Sequence, residues 1–313
     1  MNQQEMRAVY AQTLIDLAEK DERIVLLEAD LMKASGTTPF KTKFPGRTFN
    51  MGVAEANMVG VAAGLSAGGK IPFAGTFGCF AARRTYDQFF ISANYARLKV
   101  RLVGTDPGIS SAFNGGTHMP FEDMGIMRNI PKLAVFDPGD PVSLRKLVQK
   151  SAYYEGNTYM RLYRKPAPVI YDENETFEIG KGKVLKEGTD ITVIACGVIM
   201  LNEALKAHHI LENEGIHATV IDMHTIKPVD SELIIRYARK TGRLITCENH
   251  QVMNGLGSAV AEVLAENCPV FIKRIGIEDE FGEVGTQDYL QERFGLTAAH
   301  IVEEAKKLVT CKK

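Results

Sequence analysis

Cysteine is scarce in this chain: five among 313 residues, at positions 79, 196, 247, 268 and 311, with no CxxC spacing. Such scattered thiols indicate neither a disulfide framework nor a structural zinc site. Long apolar runs are missing too, none approaching the ~18 residues a spanning helix needs. The opening MNQQEMRAVY lacks the basic stretch and apolar core of a leader peptide, so a cytoplasmic location is the default expectation. Charge of one sign is also missing: 37 Lys and Arg balance 38 Asp and Glu, a net charge of −1. That balance argues against nucleic acid or an anionic membrane as partner. There is no low-complexity tract and no repeat of solenoid period. What remains is an ordinary globular composition, 45% hydrophobic and 24% charged, over a length suited to about two domains.

Helix and strand patterns alternate along the whole chain, which predicts an α/β protein with mostly parallel sheets covered on both faces. In the first half the spacing predicts helices over 4–20, 86–95 and 142–151. Short apolar strands are expected at 24–27, 71–74, 99–104 and 133–136, with 159–163 as the last strand of that sheet. The turn-rich segments KPAP, YDENE and GKG then read as a connection. We expect domains at 1–168 and 188–313, with 169–187 as linker. The second unit reads as strands at 191–195, 217–221, 244–247 and 270–275. Its helices are expected at 199–214, 231–240 and 258–267, with two closing helices near 286–294 and 297–308. GLGS at 255–258 reads as a tight strand-to-helix connection, and the remaining histidines lack metal-ligand spacing.

The stretch NMGVAEANMVGVAAGLSAGGK, residues 50–70, organises the first half. It sets Glu55 at the head of a helix whose small residues allow neighbouring backbone to approach closely. On spacing alone Glu55 is a first-turn acid worth ~0.3–1 kcal/mol against the helix dipole. Likewise Phe77 and Phe80, three apart in GTFGCFAARRTYDQ, read as core. The loop TDPGISSAFNGGTHMPFED, residues 105–123, is different: it is long, Gly- and Ser-rich and carries His118, which favours a functional role.

GVAE followed by NMVGVAAGLSAGG and PFAGTF resembles the pyrimidine-binding domain of transketolase-type, thiamine-diphosphate-dependent enzymes. GTDITVIACG, IDMHTIKPVD and TGRLITCEN resemble that family's C-terminal domain, so the likeness covers nearly the whole chain. It implies two consecutive α/β domains, each a mostly parallel sheet flanked by helices. It further implies that Glu55 contacts the cofactor's aminopyrimidine and shares a proton with a ring nitrogen, which requires shielding from water. Phe77 and Phe80 would line the ring's pocket. His118, in GGTH, would reach the substrate, where an imidazole suits proton exchange with a sugar hydroxyl.

The same resemblance assigns Arg7 and Arg164 to a clamp for a terminal phosphate, with Ser35 (or the neighbouring Ala34) adding a polar contact. Three positions depart from the family pattern. Arg83 stands where an aromatic is common, Asn114 where sugar-transferring members often carry an acid, and Asp106 where typical transketolases have histidine.

The family holds the diphosphate and its divalent metal, such as Mg2+, through a separate domain with a GDG motif. No GDG occurs in this sequence. The resemblance therefore implies the C-terminal subunit of a split transketolase, moving a two-carbon ketol unit between sugar phosphates. A separate N-terminal subunit would bind the metal and share the thiamine diphosphate, in a two-fold pair of heterodimers. The β subunit of a 2-oxo acid dehydrogenase and a non-catalytic scaffold of the same fold are the competing readings.

Overall fold

A computed structural model describes residues 3–310. Its strands gather into a seven-stranded sheet, a five-stranded sheet and a short two-stranded ribbon. The larger sheet runs in the order Thr225–Lys227, Ala134–Phe136, Thr158–Leu162, Arg101–Thr105, Ile71–Phe77, Ile24–Glu28, Thr48–Asn50. All neighbours are parallel except the first pair. The smaller sheet orders Phe271–Ile277, Arg243–Gln251, Ile191–Ala195, Ala218–Asp222 and Lys183–Lys186, with only the last antiparallel.

Near-continuous apolar runs build both sheets because both faces are covered. Successive residues point to opposite sides, so Ile24 and Leu26 enter one hydrophobic cluster while Val25 and Leu27 enter the other. The second sheet divides in the same way: Val193 and Ala195 join the first cluster, Ile194 the second. Each cluster therefore runs from one half of the chain into the other.

Three expectations are corrected here. The strand Thr158–Leu162 is the last that the first half contributes but lies inside the sheet, and the edge beyond Ala134–Phe136 is taken by Thr225–Lys227 from the second half. The stretch 169–187 is not simply a connection, since Lys183–Lys186 pairs with Ala218–Asp222. The helix expected at 86–95 starts as one turn, Tyr86–Gln88, and continues as a π-helix, Phe89–Tyr95. Near the N-terminus, Gln3–Glu5 pairs with Pro166–Pro168 in antiparallel register before the helix Met6–Lys20 begins. That pairing sets the first turn of the helix beside the segment that follows Leu162.

Candidate functional site

In open α/β sheets, loops at the carboxyl ends of parallel strands form the ligand crevice. Phe77 ends its strand, Asp106 follows Thr105, Arg164 lies just beyond Leu162, and Glu55 follows Asn50 by way of a bend. The bend at Gly52 (φ 68°) is tied down by Asn50, whose Oδ1 accepts from the Gly52 and Asp30 amides. The helix Glu55–Ala67 then starts with no side-chain cap, so Glu55 is the acid at its open amide end.

Glu55 is only 4% exposed. Its Oε1 accepts from Arg84 Nη1 at 3.0 Å, and no described residue donates to Oε2. The Arg84 guanidinium lies 3.9 Å from the centroid of the Phe80 ring, so one cation bridges the carboxylate and the aromatic wall. Phe77 and Phe80 stand 6.0 Å apart, tilted by 56°. The His118 ring meets both edge-on, at 5.8 and 5.3 Å. Four expected residues (Glu55, Phe77, Phe80 and His118) thus share one corner.

The cationic residues meet nearby. Arg164 Cζ lies 5.3 Å from the Phe77 ring. Arg7 and Arg164 both donate to the Ala34 carbonyl, at 3.1 and 3.0 Å. Arg164 also forks onto Asp106, with Nε to Oδ1 and Nη2 to Oδ2 both at 2.7 Å. Arg7 leans over Gly36, whose φ of 76° favours glycine and where a Cβ would lie 3.1 Å from Arg7 Cγ, and pairs with Glu5. Burial raises the Asp106 carboxyl, and the Arg164 pair pulls against that shift. Asp106 also holds a φ of 57°, a conformation costing a non-glycine residue about 1 kcal/mol or more.

Ser35 is turned away from this group. Its hydroxyl is buried and donates to Glu28 Oε1 at 2.6 Å, beside Thr37 Oγ1 on the same oxygen at 2.7 Å. The polar contact at the arginine pair is the backbone of Ala34, so the expected hydroxyl contribution of Ser35 is corrected to a tether beneath the site. Burial pushes Glu28 itself up to about 7.

The loop 106–121 carries the remaining two candidates. Asn114 is exposed at the end of a 3-10 segment, Gly108–Asn114, which contains Ala112 in a strained conformation (φ 47°, ψ −111°). His118 is half-buried, with Nδ1 2.9 Å from Thr117 Oγ1, and its carbonyl accepts from Ser111 Oγ at 2.7 Å. Arg83, where the family pattern calls for an aromatic, pairs with Glu122 and reaches the carbonyls of Thr117 and Met119 on either side of His118. It braces the loop instead of extending the aromatic wall.

Arg84 and Glu28 were missed from the sequence. The adjacent pair Arg83-Arg84 behind Phe80 was the available signal for the first, and an acid ending a fully apolar strand for the second. Together the corner presents a shielded carboxylate with an uncommitted oxygen beside aromatic faces. That donor set fits a flat nitrogen heterocycle, gripped at one edge by Glu55 and on its faces by phenyl rings. The arginine pair beyond it suits an anionic end of a second ligand.

Comparison with known proteins places this geometry. The transketolase pyrimidine-binding domain matches residues 2–168, and the transketolase C-terminal domain matches residues 180–301. The chain is 51% identical to 6-deoxy-6-sulfo-D-fructose transketolase subunit SqwH of Clostridium sp. strain MSTE9, over 97% of this chain and 94% of that one. It is 35% identical to a subunit of the apulose-4-phosphate transketolase of Phocaeicola vulgatus, over 97% of both chains. A solved split-gene transketolase, described as an inactive β4 tetramer, superposes with a TM-score of 0.92 at 44% identity and 99% coverage of each chain. The chain therefore belongs to the transketolase family, of whose thiamine-diphosphate-dependent architecture it carries the pyrimidine-binding and C-terminal domains.

Proposed function

We propose that this chain is the C-terminal subunit of a split transketolase, working only with a separate subunit that holds the diphosphate and its divalent metal. The observation that carries the reading is the nearly buried Glu55 carboxylate, bridged by Arg84 to an aromatic corner that includes His118. Two of the subunit-sized relatives are named for sugars that end in an anion, one a sulfonate and one a phosphate. We assign this chain the same class, a ketose with an anionic terminus, passing a two-carbon ketol unit to an aldose.

Glu55, Phe77 and Phe80 would hold the pyrimidine end of thiamine diphosphate. When bound, that cofactor supplies the electron sink that lets a ketose carbon–carbon bond break. With the cofactor bound, Glu55 would exchange a proton with the ring, and its burial would keep water from competing there. His118 moves a proton at a sugar hydroxyl, and Arg7 with Arg164 orients the anionic end. Asp106 and Asn114 lie between these groups in sequence and shape the sugar pocket.

The test is steady-state activity of the reconstituted pair, with anion-ended ketoses compared against pyruvate and branched-chain oxo acids. Ketol transfer from the sugars, absent from either subunit alone, is the expected result. Turnover of oxo acids in its place would identify a dehydrogenase component. Unchanged activity on Glu55→Ala would point to a scaffold.

A further inference from the structure

We infer that Asn249, in the second domain, is a positioning residue for the site: it holds the entrance of the loop that carries Asn114 and His118. The inference rests on reading that loop as sugar-contacting. Asn249 lies on the strand Arg243–Gln251 of the smaller sheet and is 5% exposed. Both ends of its amide are committed to the loop. Oδ1 accepts from the Ile109 amide at 3.0 Å, and Nδ2 donates to the Pro107 carbonyl at 2.9 Å. Gly108 sits between them with φ 52°, so close that a Cβ would lie 2.1 Å from Asn249 Oδ1.

The same strand holds the loop's exit. The Gln251 amide donates to the Phe121 carbonyl at 2.8 Å, and the Gly125 amide donates to His250 Nε2 at 3.2 Å. Arg161 joins the two anchors, donating to the Asn249 carbonyl at 3.1 Å and to the Pro120 carbonyl at 3.1 Å. Midway, Gly116 packs on Gly282, where an added Cβ would strike the Gly282 carbonyl. The loop is therefore suspended from the second domain at its beginning, middle and end. Asn249 contributes the side-chain part of that suspension, and among the described residues no hydrogen bond joins it to Glu55, Phe77 or Phe80.

Hydrogen exchange of the full-length chain, followed by mass spectrometry, reads the suspension directly. Asn249→Ala removes two buried hydrogen bonds, and exchange across 105–121 is expected to quicken about tenfold. Thr241→Ala, which cuts buried hydroxyl bonds elsewhere in the same domain, should leave that segment unchanged. In the reconstituted pair Asn249→Ala should lower kcat/KM for the ketose by about tenfold. Thiamine diphosphate affinity, measured by calorimetry, should stay within experimental error of wild type. Asn249→Asp keeps the acceptor for Ile109 and should restore part of the protection, and it serves as the variant should alanine fail to fold. Equal effects of Asn249→Ala and Thr241→Ala on 105–121, or no change there in either, would overturn the inference. A loosened loop in a pair that never transfers a ketol unit would instead leave the suspension standing and remove the transketolase reading.

Discussion

Every hydrogen-bond donor committed within the arginine pair is one that an anionic ligand held there would have to share or displace. Arg164 gives one donor to Asp106, with which it also forms an ion pair, and one to Ala34, and Arg7 is paired with Glu5. Two guanidiniums and the neighbouring Lys165 thus face two carboxylates, so the carboxylates offset part of the positive charge offered to an anion. A sulfonate carries a single charge, whereas a phosphate ester carries nearly two at neutral pH. Asp106→Asn keeps the shape while removing one carboxylate, and at an effective dielectric of ~20 a charge a few ångströms away is worth at least tenfold in binding. We therefore expect kcat/KM for a phosphate-ended ketose to rise roughly tenfold relative to its sulfonate-ended counterpart. Competition kinetics with the two sugars measure the ratio, and an unmoved ratio would show that Asp106 does not set terminal-group preference. The residue scale is also where sequence reading was weakest. Glu55, Phe77, Phe80 and His118 share one corner and each sits in a motif, but Arg84 has no motif of its own. Its position on Glu55 and over Phe80 follows from three-dimensional approach of the end of the short helix Gly78–Arg83 to the head of the Glu55–Ala67 helix.

Among the elements, the strand Ile24–Glu28 shows how a periodic pattern can conceal a polar role. Four apolar residues predict a buried strand, and the strand forms. Its last residue then carries a carboxyl into the interior, where only Ser35 and Thr37 donate to it among the described residues. Desolvation raises the group from 4.5 to about 7, and these two hydroxyls oppose the rise. A raised carboxyl binds its proton more tightly when folded. That contribution to stability is complete below the unfolded value of 4.5 and is lost as pH climbs through 7. Glu28→Gln cannot titrate but preserves an acceptor for both hydroxyls. The stability difference between variant and wild type should therefore shift in favour of the variant between about pH 5 and 8, by roughly 3 kcal/mol at most. Denaturant melts at several pH values give this difference. Glu248 at about 7 and Asp222 at about 8 slope the same way in both proteins and cancel. A difference that stays flat with pH would mean that Glu28 remains ionised in the fold.

At the scale of the molecule, what the sequence could not announce is how tightly its two halves are laced. Local periodicity locates strands, but the return of Thr225–Lys227 to the first sheet depends on a pairing across almost ninety positions, for which no local signal exists. The strand Lys183–Lys186 was hidden for the same reason, since its half-buried residues gain a partner only from Ala218–Asp222. Buried polar links follow the lacing. Arg161 is wholly buried, bound to Asp123 and Asp137 in its own half and to the Asn249 carbonyl in the other. Removing the second half would bare the edge of Ala134–Phe136 and the apolar faces of both clusters. It would also withdraw one acceptor from a guanidinium whose buried pairs are each worth about 3–5 kcal/mol when broken. A chain cut after residue 168 should therefore fail to form a native first domain, although its sheet retains six of seven strands. Near-UV circular dichroism should be lost while far-UV signal persists, with strong binding of a hydrophobic dye. A cooperative melt with native near-UV signal from that fragment would show that the first half folds unaided. The loop bearing His118 would then have to draw its order from within its own domain.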